Sequence, residues 1–124
     1  MSERDKFLTE AMGECWHEFP PHGAIKVINE TDFIIYCLKG CEVVASQAKP
    51  YNHPDFSTWE GFGRLWGWAQ KQEWWLAFQV FANNLCGYEM TLTFAKQIGC
   101  SMPNELINPE RFADAVYKYL KEQE

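Results

Sequence analysis

Residues 74–94 read WWLAFQVFANNLCGYEMTLTF, and the choice between strand and helix here decides the fold. Through residue 81, Trp75, Ala77, Gln79 and Phe81 alternate with Trp74, Leu76, Phe78 and Val80, so that both faces are largely apolar, as in a covered strand. From Tyr88 the alternation is sharper: Tyr88, Met90, Leu92 and Phe94 against Glu89, Thr91 and Thr93. With Asn83–Gly87 as the connecting turn, the segment predicts a β-hairpin. A continuous helix through Asn84 is the competing reading.

Working outward, the final stretch predicts a helix with a well-marked start. Asn108 can cap it, Pro109 fits the first helical position, and Glu110 complements the helix dipole. Phe112, Ala113, Val116 and Leu120 form its apolar stripe. Before the hairpin, Ser57-Thr58-Trp59-Glu60 reads as a capping box with Ser57 as N-cap. Trp59, Phe62, Leu65, Trp66 and Ala69 then follow at helical spacing to about Gln72. A first helix is expected from about Glu3 to Trp16, capped by Ser2, with Leu8, Ala11, Met12 and Cys15 inward; Pro20, Pro21 and Gly23 stop it. Between these helices, residues 25–28, 33–37 and 42–45 read as short strands, and Ser46–Asp55, with Pro50 and Pro54, as a loop. The expected fold is therefore α+β: a single domain over 1–124, with three helices packed on a small antiparallel sheet in the order α, short β strands, α, β-hairpin, α.

Composition narrows the functional classes. The 124 residues carry a net charge of −6, and their eleven Lys and Arg are scattered, which disfavours direct nucleic-acid binding. No apolar run reaches the ~18 residues of a membrane span. The charged opening MSERDKFLTE has no signal-peptide character. Five cysteines fit a reducing cytoplasm, as thiols or metal ligands rather than disulfides.

The stretches FLTEAMGECWHEF (7–19), DFSTWEGFGRLWGWAQKQEWW (55–75) and INPERFADAVYKYL (107–120) resemble small proteins of tailed phages and prophages. Their layout is similar to the phage ABA sandwich domain family: a helix ending in Met-Gly, a Ser-Thr-capped helix, a hairpin and an Ala-rich final helix. The resemblance implies an accessory phage protein in the bacterial host cytoplasm and brings no activity with it. Some such proteins carry a Cys-x-His segment followed by a Cys-x-x-Cys-Gly knuckle, which suggests zinc. Here Cys15-Trp16-His17 matches the first part. Cys37-Leu38-Lys39-Gly40-Cys41 stands in place of the second, with the Gly and the second Cys exchanged.

Zinc holds four ligands in a tetrahedron, and Cys37 and Cys41 flank a tight turn able to aim both sulfurs at one ion. Cys15 and His17 would complete the set. The other reading is three unlinked thiols and a surface histidine. No other cofactor is expected. A zinc deaminase is set aside, because its His-x-Glu and Pro-Cys-x-x-Cys are missing. A cysteine nucleophile lacks its supporting signals, and Gly61-Phe62-Gly63, inside a helix pattern, reads as a close-packing site rather than a phosphate loop.

Trp59, Trp66, Trp68, Trp74 and Trp75 crowd seventeen residues. Trp59, Trp66 and Trp75 are expected in the core. Trp68 lies off the apolar stripe and Trp74 is expected to face outward; with Arg64 and Lys71 as the neighbouring cations, these four form the candidate binding surface. The functional expectation is a non-enzymatic phage accessory protein that acts by binding a host or phage protein, with inhibition of a bacterial defence or regulatory protein as its role. The alternative is a protein that sequesters a small nucleotide signal.

Overall fold

The computed structural model describes residues 3–16, 25–36, 42–46 and 54–124. The chain divides into two compact units, Met1–Phe7 with Asp55–Glu124 and Leu8–Pro54.

The first unit is helical. It holds the start of α1 (Glu3–Ala11), then α2 (Trp59–Ala69), α3 (Trp75–Leu85), α4 (Leu92–Ile98), a 3-10 turn (Asn104–Leu106) and α5 (Pro109–Glu122). Helices pack on helices here: α2 and α3 on α5, and α4 on α3. The expected α+β fold, three helices on a small antiparallel sheet, is thereby overturned. The expected hairpin over 74–94 is two helices, and no strand occurs among the described residues of this unit.

The physical reason lies in how α3 ends and α4 begins. A segment apolar on every side satisfies a period of 2 and one of 3.6 alike. Gly87, with φ +88°, closes α3 in a Schellman motif: the Tyr88 N–H donates to the Asn83 carbonyl and the Gly87 N–H to that of Asn84. Thr91, read as a strand residue, instead caps α4, its Oγ1 accepting from the Phe94 N–H at 3.2 Å.

The core of this unit surrounds Phe112 on α5, which is 0% exposed. The rings of Phe62, Trp66 and Phe78 approach it at centroid distances of 5.3, 5.1 and 5.9 Å. Phe56, Leu65, Ala69, Ala82, Ala113 and Val116 are also buried. Asn108 caps α5 by accepting from the Arg111 N–H at 3.2 Å, with Pro109 next. Tyr119 is buried, and the expected Leu120 only half so. The first turn of α1 docks on α5 through Arg4 to Asp114 at 2.8 Å, an edge-to-face pair of Phe7 and Tyr117, and Lys121 over the Phe7 ring.

Helix α2 starts one residue later than its capping-box reading: Thr58, not Ser57, is the N-cap, accepting from the Gly61 N–H at 3.1 Å. Ser57 instead donates to the Asp55 carboxylate through both its N–H and its hydroxyl, and these bonds hold Asp55 below the usual carboxylate range. The buried stripe of α2 is Gly61, Leu65 and Ala69. Gly61 is small for a reason, because a Cβ there would stand 2.1 Å from the Asp55 carbonyl oxygen. Trp59 is therefore turned outward, 66% exposed, and the expectation that it lies in the core is corrected.

The second unit holds a three-stranded antiparallel meander in the order β1 (Ile25–Val27), β2 (Asp32–Tyr36), β3 (Glu42–Ser46). Ile25 pairs with Ile35, Val27 with Phe33, and Phe33 in turn with Ala45. The Asn29 side chain accepts from the Thr31 N–H at 2.9 Å and sets the turn between β1 and β2. Helix α1 stops at Ala11, short of the expected Trp16, because Gly13 takes φ +83°. Pro20, Pro21, Gly23 and most of the expected loop at 46–55 lie outside the described residues.

Candidate functional site

Of the expected zinc ligands, Cys15 is half-buried, and His17, Cys37 and Cys41 lie outside the described residues. Among the described residues no three His, Cys, Asp or Glu side chains gather as a metal site would require. Cys86 and Cys100 are free thiols in the helical unit. Burial, together with the neighbouring Glu105 carboxylate, pushes the Cys86 thiol up, and burial does the same to Cys100.

Of the four expected binding residues, Arg64 stands at the middle of α2, Trp68 in its last turn, Lys71 just beyond it, and Trp74 at the N-cap of α3. Arg64 and Trp68 are four residues apart on the helix and share a side, and both Arg64 and Lys71 are exposed. The rings of Trp68 and Trp74 meet edge to face at 5.5 Å. Trp74 also lies 5.6 Å from Tyr119 and 6.0 Å from Phe78, so its ring packs at the rim of the core. Both tryptophans are half-buried.

A second surface, unread in the sequence, surrounds α4. This short helix buries only Ala95. Phe94 (49% exposed) and Ile98 (65%) stand one turn apart on the same side, and Leu92 is exposed beside Ala95. Leu85 and Tyr88 before α4 and Ile107 after it are exposed as well.

Polar clamps at both ends hold α4. The Asn84 side chain donates to the Met90 carbonyl at 2.8 Å and accepts from its N–H at 3.3 Å, fixing the entry. The Asn83 side chain donates to the Ser101 carbonyl at 2.9 Å and fixes the exit. Both asparagines also cap α3 internally, donating to the Gln79 and Val80 carbonyls. The Tyr88 hydroxyl donates to Glu105 at 2.9 Å, and that bond pushes the phenol up. Because hydrogen bonds position α4, its large apolar side chains are left facing outward.

No helix among the described residues is long and apolar enough to cross a membrane. Compared with known proteins, the chain matches no family model, no curated protein and no solved structure.

Proposed function

We propose that this chain acts by binding a protein partner rather than by catalysis, with α4 as the contact. The observation that carries the reading is a helix clamped at both ends by Asn83 and Asn84, burying only Ala95, and presenting Leu92, Phe94 and Ile98 to solvent. Clustered exposed apolar side chains on a fixed element suit insertion into an apolar cleft, and aromatic anchors such as Phe94 supply most of the energy of such contacts. The resemblance to small phage and prophage proteins supports a host target, a bacterial defence or regulatory protein, as the partner. The alternative, sequestration of a small nucleotide, has the proximity of Arg64, Trp68 and Lys71 in its favour, but the Trp68 and Trp74 rings are engaged with one another.

A photo-crosslinking residue placed at position 94 or 98 tests the proposal in bacterial lysate. The expected result is one discrete crosslinked protein, absent when the same residue replaces the exposed Lys118 on α5. An identical pattern from positions 94 and 118 would reject α4 as the contact.

A further inference from the structure

We draw no further inference here: the strongest candidate, the outer face of α2 where the exposed Trp59 stands beside Gly63 and Gly67, carries nothing, because nothing among the described residues shows what covers it.

Discussion

Replacing Gly61 by Ala adds one methyl group, and the structure gives that methyl no room. It would stand 2.1 Å from the Asp55 carbonyl oxygen and 2.8 Å from the Phe56 Cα, both backbone atoms, against an ordinary contact of 3.4–4 Å. The Asp55–Phe56 segment must move away from α2 by more than an ångström. Phe56 is fully buried, so it moves out of well-packed surroundings, and overpacking of this kind costs about 1–3 kcal/mol. The Asp55 carbonyl also accepts from the Thr58 hydroxyl at 2.8 Å, and distorting that bond costs about 1 kcal/mol more. Alanine's better helix propensity returns about 1 kcal/mol. The net is a loss of about 1–3 kcal/mol, which for a chain of this size lowers the melting temperature by roughly 3–12 °C. Urea unfolding followed by tryptophan fluorescence measures it. A Gly61→Ala protein as stable as the parent, or more so, would refute the close approach of Asp55 to α2.

The remaining predictions use the same core and its edges. Phe112→Ala removes the ring on which Phe62, Trp66 and Phe78 converge and should cost about 3–5 kcal/mol in urea unfolding; a loss below about 1 kcal/mol would contradict full burial. Asn108→Ala removes the cap of α5 and should cost about 1 kcal/mol, whereas Asn108→Asp, which keeps the acceptor, should cost little; equal losses in both would contradict the capping role. The folded chain holds the Cys86 and Cys100 protons to higher pH than the unfolded chain does. The stability this contributes is complete below the ordinary thiol range and fades as pH rises through the raised values. Iodoacetamide near neutral pH should accordingly alkylate both thiols more slowly in the folded protein than in urea, and equal rates would contradict this.

How much of this was legible in the sequence depends on the kind of signal. Helix α5 was legible because start and stripe agree: Asn108 and Pro109 mark the end, and Phe112, Ala113 and Val116 mark the inner face. The start of α2 was off by one residue, because Ser57 and Thr58 are both competent caps and only the Asp55 turn, which engages Ser57, decides between them. Of its expected stripe, Leu65 and Ala69 are buried and Phe62 and Trp66 pack on Phe112, while Trp59 turns outward because the close Asp55–Phe56 backbone takes Gly61 on the inner side. Residues 74–94 misled most. An all-round apolar segment carries no usable period, and Gly87 and Thr91 serve a hairpin as readily as a helix end and a helix start. That error hid the α4 surface, since the expected strand ended at Phe94 and left Ile98 outside it, whereas on the helix the two stand one turn apart. The Asn83-Asn84 pair was the available clue: it can cap α3 and clamp the flanks of α4 at once.

On the proposed function, α4 is a binding element rather than part of the folded core. Since α4 buries only Ala95, Phe94→Asp with Ile98→Asp should leave the melting temperature within about 2 °C of the parent, as exposed substitutions do. Affinity capture from lysate, run side by side with the parent and the double variant and read by quantitative mass spectrometry, tests the claim most directly. The protein crosslinked from position 94 should be retained by the parent and lost from the variant. Equal capture by both proteins, or a double variant that no longer folds, would contradict it.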